Sequence, residues 1–162
     1  MKTTLDTAAG DALGRWMNGS RRDYQVFCDF SRTERIGIIK KGLPAMVLEK
    51  FAADMDVRRE VVLDWLAISR ATASRKVRDR ALLSRDESER ALGMGRIVGR
   101  VGRIVCESGD PEGFDAAKWT AAWLDRPNPA LGGQRPSVYM DTADGRALVA
   151  GLLFQMQSGT CA

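Results

Sequence analysis

Residues 123–153 constrain the fold of this chain more than any other segment, because residues that stiffen the backbone stand next to residues that free it. Pro127 and Pro129 fix two φ angles and push the residues before them toward extended conformations, so a helix must end there. Gly132 and Gly133 follow, and glycine adopts positive φ where a side chain could not. The sequence therefore predicts a helix, a stiff loop of defined shape, and a second helix after it.

The second of these helices has clear predicted ends. Asp141 or Thr142 can offer a side-chain oxygen to the free N–H groups of its first turn, and Gly159 is a typical stop. Its apolar residues are spaced one turn apart, which predicts that they close a small C-terminal domain while Arg146 stays outside. These apolar residues are Leu148, Val149, Leu152, Leu153 and Met156.

The residues of this segment resemble those of a known protein family. The run WLDRPNPALGGQRP, followed by DTADGRALVAGLL, is similar to the C-terminal domain of Xre/MbcA/ParS-type antitoxins, the partners of RES-domain toxins. A weaker resemblance extends back to about Leu43 and leaves residues 1–30 uncovered. The matching positions are Trp123, Leu124, Pro127, Asn128, Pro129, Leu131, Gly132, Gly133, Asp141 and Thr142.

The resemblance implies an antitoxin rather than an enzyme. In this family the loop and the last helix lie against the toxin, and the C-terminal end of the antitoxin obstructs the toxin's NAD-binding cleft. We therefore expect a RES-domain toxin as partner; whether that toxin degrades NAD or transfers ADP-ribose stays open. The candidate toxin-binding residues are Asn128, Pro129, Leu131, Gly132, Gly133, Tyr139, Arg146, Gln155, Gln157, Ser158, Gly159 and Thr160.

Residues 57–80 have the layout of a helix-turn-helix. A helix that carries Trp65 ends near Ala67, and Ser69 can cap a second, short helix that resembles the recognition helix of Xre-type proteins. Ala67 replaces the glycine common in this turn, and Ala73 replaces a larger apolar residue. One interpretation places this helix in the major groove; the alternative is a solvated basic helix that no longer binds DNA. The candidate DNA-binding residues are Ser69, Arg70, Thr72, Ser74, Arg75, Lys76 and Arg78.

Charge is unevenly distributed along the 162 residues, whose net charge is +4. Residues 1–103 hold 21 lysines and arginines against 14 acidic residues, a net charge of +7, whereas residues 104–162 hold 4 against 7, a net charge of −3. The basic part suits a polyanion such as operator DNA. Because single helix-turn-helix units bind DNA weakly and usually pair on two half-sites, we expect a homodimer.

The composition also restricts the chemistry. The chain has no histidine, so Ser-His and Cys-His nucleophiles and the commonest zinc ligand are missing. Its three cysteines are far apart and suggest neither a disulfide framework nor a metal site. We predict no metal, no cofactor and no enzymatic activity, although carboxylate or lysine catalysis stays formally open. No membrane span or signal-peptide pattern is visible, and we expect a cytoplasmic protein.

Capping residues and glycines organise the middle of the chain. Ser31 and Glu34 have the spacing of a capping box, as do Ser84 and Glu87, and Pro44 suits the first position of a further helix. The helix after Ser84 should run to about residue 106. It contains glycines on one side at positions 95, 99 and 102, so we expect another helix to approach closely, from the same chain or from a dimer mate. A frayed helix is the alternative.

These patterns predict an all-α protein in three parts. Residues 1–30 give the weakest pattern and favour a partly ordered extension over a structural module. Residues 31–106 form an Xre-like helix-turn-helix and dimerisation domain, and residues 107–162 form the toxin-binding domain. The expected function is neutralisation of the toxin together with binding to the chain's own promoter; the alternative is a stand-alone helix-turn-helix regulator without a toxin partner.

Overall fold

A computed structural model describes residues 4–19 and 23–159 of the chain. These residues form nine α-helices and two 3-10 helices, and a single bridge between Pro44 and Leu82 is their only β pairing. The prediction of an all-α fold is confirmed. In chain order the α-helices are α1 Thr4–Asn18, α2 Gln25–Asp29, α3 Arg32–Lys41, α4 Val47–Met55, α5 Arg59–Trp65, α6 Arg70–Arg78, α7 Arg85–Ser108, α8 Ala116–Leu124 and α9 Ala143–Ser158, with 3-10 helices at Pro129–Leu131 and Pro136–Tyr139.

Both predicted capping boxes are present. Ser31 Oγ accepts a hydrogen bond from the N–H of Glu34 at 3.2 Å, and the Glu34 carboxylate accepts one from the N–H of Ser31 at 2.8 Å. Ser84 and Glu87 make the same pair of bonds at the start of α7, at 3.2 and 2.7 Å. The two boxes satisfy N–H groups that the first helical turn leaves free and thereby fix where α3 and α7 begin.

The role expected for Pro44 is wrong. Helix α4 begins at Val47 rather than at Pro44. The chain before it is extended and pairs with the segment before α7: the N–H of Leu83 donates to the Leu43 carbonyl at 2.8 Å, and the N–H of Ala45 donates to the Ala81 carbonyl at 3.0 Å. Proline fits this position because its fixed φ also suits extended backbone.

The described part of residues 1–30 is a structural module, not the partly ordered extension that the sequence favoured. Helices α1 and α2 bring Trp16, Tyr24 and Phe27 together with Phe51 of α4, and all four rings are buried. The Trp16 ring meets the Phe27 ring edge-on at 4.8 Å and the Tyr24 ring at 5.2 Å between centroids. Burial of this aromatic cluster anchors the N-terminal helices to the rest of the core.

The glycines of α7 also allow helix α2 to pack closely against it. A Cβ on Gly95 would collide with the Phe27 ring, and one on Gly99 would collide with the Tyr24 carbonyl. Gln25 of α2 donates a hydrogen bond to the Gly99 carbonyl at 2.9 Å. The close approach expected from the glycine spacing is confirmed, and the approaching helix belongs to the same chain.

Helix α7 is central to the packing, because α2, α3, α8 and α9 all contact it. Its buried residues belong to one continuous hydrophobic core with those of the N-terminal and C-terminal helices. The domain division at residues 30 and 106 stays a prediction. In the described residues no helix is both long enough and apolar enough to cross a membrane.

Candidate functional site

The first candidate site is the helix pair α5 and α6. The turn between them places Ala67 at φ 49°, in the left-handed region that favours glycine. The N–H of Ile68 donates to the Leu63 carbonyl at 2.9 Å and closes the turn. Ser69 caps α6 by accepting a hydrogen bond from the N–H of Thr72 at 3.1 Å, and Ala73 is fully buried on the inner side of α6. The helix-turn-helix layout is therefore present despite the two unusual alanines.

The predicted DNA-binding residues on α6 differ in how free their side chains are. Arg70 and Arg75 are exposed and make no ion pair with another described residue. Arg78 is exposed but holds Asp79 at 2.9 Å. The hydroxyls are partly engaged: Ser69 donates to Thr72 at 2.8 Å, and Ser74 accepts from Arg59 at 3.1 Å. Arg70 and Arg75 are thus the cations of this helix that are most available to a polyanion.

Lys76 is not part of that exposed set. Its ammonium group pairs with the carboxylate of Glu87 at 2.5 Å, and 17% of the Lys76 side chain and 12% of the Glu87 side chain remain exposed. Burial alone would raise the pKa of Glu87, but hydrogen bonds from Lys76 and Ser84 outweigh it, so the pKa is lowered. This lysine ties α6 to the start of α7, so its ammonium group is less available to DNA than the two free arginines, and its role in DNA binding stays a prediction.

The second candidate site is the loop between α8 and α9. Asn128 organises it: its side-chain oxygen accepts the N–H of Ala130 at 2.9 Å, its carbonyl accepts the N–H of Gly133 at 3.0 Å, and its N–H donates to the Gln134 carbonyl at 2.9 Å. Gly132 and Gly133 adopt φ values of 62° and 84°. The stiff loop predicted from the prolines and glycines is present.

The loop exposes a mixed surface. Pro129, Gly132 and Gly133 are exposed, whereas Leu131 and Tyr139 are half-buried. The 3-10 helix Pro136–Tyr139 packs on α9 and so connects the loop to the last helix.

Helix α9 begins and ends as predicted. Thr142 caps it by accepting the N–H of Gly145 at 3.0 Å, and Gly159 ends it at φ 66°. Its inner side holds the buried residues Val149, Leu152 and Leu153.

Three apolar side chains of α9 point outward instead. Phe154 is 59% exposed, and Leu148 and Met156 are each 45% exposed. Leu148 and Met156 were expected on the inner side, which is wrong. Leu148 lies on the opposite side of the helix from Leu153, and Met156 lies in the last turn, where little of the core remains to cover it.

Arg146 is placed inside, not outside as predicted. It is 7% exposed and donates hydrogen bonds to the Met140 carbonyl at 3.0 Å and to the carboxylate of Glu89 at 2.9 Å. Gly93 of α7 leaves space for its side chain. Burial lowers the pKa of the guanidinium, and the nearby Glu89 carboxylate partly offsets this effect. The helical spacing could have indicated this burial, since residue 146 falls on the same face as the buried residues 149 and 153.

The remaining toxin-binding candidates lie at the end of α9. Gln155 and Gln157 are exposed, and Gln157 donates to the Glu107 carboxylate at 2.9 Å. Ser158 donates to the Gln155 carbonyl at 3.1 Å. Thr160 falls outside the residues that the structure describes. The structure adds Phe154 to this set, a residue that the apolar spacing of the helix did not single out.

Comparison with known proteins agrees with this architecture. Residues 34–96 match the antitoxin Xre-like helix-turn-helix domain, and residues 112–159 match the antitoxin Xre/MbcA/ParS C-terminal toxin-binding domain. A relative from Sphingobium sp. (strain YBL2), the Prs ADP-ribosylating antitoxin, is 42% identical over 158 residues, which are 98% of this chain and 98% of the relative. The chain belongs to the Xre/MbcA/ParS-type antitoxins. The predicted resemblance is confirmed, and this antitoxin combines a helix-turn-helix domain with a toxin-binding domain.

Proposed function

We propose that this antitoxin neutralises a RES-domain toxin that transfers ADP-ribose from NAD to a protein, and that it does so by covering the toxin's NAD cleft. The name of the Sphingobium relative supports the ADP-ribosylating type of toxin over an NAD-degrading one. The observation that carries the proposal is that three apolar side chains of α9, Leu148, Phe154 and Met156, are exposed inside the toxin-binding domain.

These exposed side chains have the properties of interface anchors. Burying an exposed phenylalanine or leucine contributes about 1.5–3 kcal/mol, and aromatic residues dominate the energetics of many interfaces. The adjoining loop is already held by the hydrogen bonds of Asn128, so docking does not have to order it. Affinity then comes from α9, and shape complementarity comes from the loop.

The inhibition is steric and uses no chemistry of the antitoxin itself. The end of α9 at Ser158 and the residues that follow it would lie across the mouth of the cleft, so NAD could not reach the toxin's reacting groups. Gln155 and Gln157, which are exposed, would supply polar contacts at the rim of the interface.

The test is co-expression with the toxin encoded beside this chain, followed by co-purification and an ADP-ribosylation assay. We expect a stable complex without transferase activity. Phe154→Glu should abolish the complex, whereas Met46→Glu, at a residue 42% exposed immediately before α4, should leave it intact. An active toxin that co-purifies with the chain would refute the proposal.

We also propose that a homodimer of the antitoxin binds its own promoter through α6. The supporting observation is that Arg70 and Arg75 are exposed and free of ion pairs among the described residues. Titration of the chain onto its upstream DNA, followed by fluorescence anisotropy and light scattering, tests this. Operator binding by a chain that forms no complex with the neighbouring gene product would favour the stand-alone regulator instead.

A further inference from the structure

A groove of about 850 Å³ runs between α7 and α9, with α3 along its side. Each end is marked by a polar contact between the two helices: Arg146 with Glu89 at one end, and Gln157 with Glu107 at the other, both at 2.9 Å. On the α9 side the wall is made of small residues such as Ala147 and Gly151, so the groove stays open. Along α7, residues 89–107 rise about 27 Å, the length of five helical turns.

The groove carries positive charge that no described carboxylate pairs with. Arg35, Arg96 and Arg100 all line it. Arg96 and Arg100 make no ion pair with another described residue, and Arg35 donates to the Phe30 carbonyl at 2.5 Å. Burial lowers the pKa of Arg96, and the positive charges of Arg35 and Arg100 lower it further. Arg96 is exposed, and Arg35 and Arg100 are half-buried, so these like charges are accessible to an anionic partner that would compensate them.

The groove also has apolar lining residues. Ile39, Ile97, Ile104 and Phe154 line it together with the arginines. A phosphate backbone would meet the arginines but leave these apolar residues uncovered. A helix with apolar residues on one side and carboxylates at its margin would satisfy both, as in the known helix-in-groove mode of recognition.

We propose that this groove receives an acidic amphipathic helix of the toxin, whose carboxylates pair with Arg96 and Arg100. These arginines are four positions apart on α7, so two carboxylates one turn apart on the incoming helix can reach both. Phe154 lines the groove and is also one of the exposed apolar residues of α9, so the two proposed contacts share this residue. The inference rests on the proposed toxin partnership and extends the interface from the toxin-binding domain onto α7.

The test compares charge variants of the full-length antitoxin by calorimetric titration with the toxin at two salt concentrations. Arg96→Glu/Arg100→Glu reverses the sign of two charges that line the groove. Arg58→Glu/Arg85→Glu makes the same change of charge at two exposed arginines that do not line the groove. We expect the first variant to weaken toxin binding about 100-fold or more and to reduce its salt dependence, because desolvated charge pairs at interfaces are worth several kcal/mol. The control should stay within about threefold of the original chain.

Two further measurements separate binding from folding and identify the occupant. The melting temperature of the free Arg96→Glu/Arg100→Glu variant should not fall, since the substitution removes repulsion with Arg35. A photo-crosslinking amino acid at Ala147 should capture a toxin peptide that has acidic residues three or four positions apart.

Several results would overturn the inference while leaving the proposed function standing. Toxin binding that is unchanged in Arg96→Glu/Arg100→Glu would do so, as would a crosslink from Ala147 to a second copy of this chain. A variant that lost operator DNA but kept the toxin would assign the groove to nucleic acid. If the original chain itself does not bind the toxin, the proposed function is refuted, and the proposed occupant of the groove is refuted with it.

Discussion

Arg146 in the first turn of α9 donates a hydrogen bond at 2.9 Å to the carboxylate of Glu89 on α7, 57 positions earlier in the chain. The same guanidinium bonds the Met140 carbonyl at 3.0 Å, just before α9 begins. One buried side chain thus fixes the last helix to the helix that follows the helix-turn-helix. The orientation of the toxin-binding face relative to the rest of the antitoxin depends on this contact.

Arg146→Met should therefore lower stability and loosen α9. The substitution keeps most of the side-chain volume but leaves the Met140 carbonyl without its partner, so we expect a loss of about 1–3 kcal/mol. Chemical denaturation measures it, and hydrogen exchange should show faster exchange in residues 143–153. Arg126→Met, at an exposed arginine, is the control and should change stability by less than about 0.5 kcal/mol. Equal stability of the two variants would contradict this role of Arg146.

Gly99→Ala should destabilise the chain although alanine favours helices. A Cβ at this position would collide with the Tyr24 carbonyl, which is backbone and cannot rotate away. Overpacking of this kind costs about 1–3 kcal/mol. Gly10→Ala, inside α1 where no atom beyond the local helix backbone lies within 4 Å of the added carbon, should instead stabilise by about 0.5–1 kcal/mol. Thermal unfolding of both variants checks the prediction, and a stabilising Gly99→Ala would show that α2 does not press on α7.

These two residues illustrate what the sequence could and could not predict. The spacing of the glycines at 95, 99 and 102 predicted that another helix packs closely against α7. It could not identify that helix, because Gln25 of α2 is 74 positions from Gly99 and α2 is too short to give a clear pattern of its own. Arg146 was misplaced because a charged residue is usually exposed, and only the contacts with Glu89 and Met140 satisfy it inside. The capping boxes and the proline-glycine loop were predictable since their signals are local.

The pair between Glu87 and Lys76 should make stability depend on pH in the acid range. The pKa of Glu87 is lowered from 4.5 in the folded chain, so its ionised form stabilises the fold above that value, and this contribution is lost as pH falls through the lower, folded pKa. Glu87→Gln should cost about 1–3 kcal/mol at pH 7, because Lys76 is left buried without its counter-charge.

Denaturation of Glu87→Gln and of the original chain at pH 7 and pH 3 measures this difference. The difference in stability between the two proteins should be smaller at pH 3 than at pH 7, because the folded original chain loses the contribution of ionised Glu87 as pH falls toward and through its lowered pKa. Glu112→Gln, at an exposed residue of the loop before α8, should show no gap at either pH. A difference in stability that is the same at pH 7 and pH 3 would contradict the role given to the pair of Glu87 and Lys76.

Arg75 and Lys76 are neighbours in sequence with different expected roles. Arg75→Ala should weaken operator binding and reduce the slope of log affinity against log salt by about 0.9, the value for one lost phosphate contact. Lys76→Met should lower the melting temperature and leave the salt slope unchanged, since its ammonium group pairs with Glu87. Anisotropy titrations from low to moderate salt measure both slopes. Equal slopes for Arg75→Ala and the original chain would remove Arg75 from the DNA-binding surface.

The most direct test of the account is binding of a non-reactive NAD analogue to the toxin, alone and in complex with the antitoxin. Steric inhibition predicts that the free toxin binds the analogue and that the complex does not, at any concentration that leaves the complex intact. Removal of residues 158–162 should restore binding while the complex persists. If the intact complex bound the analogue as tightly as the free toxin does, and still lacked activity, the cleft would be open and the mechanism proposed for this antitoxin would be wrong.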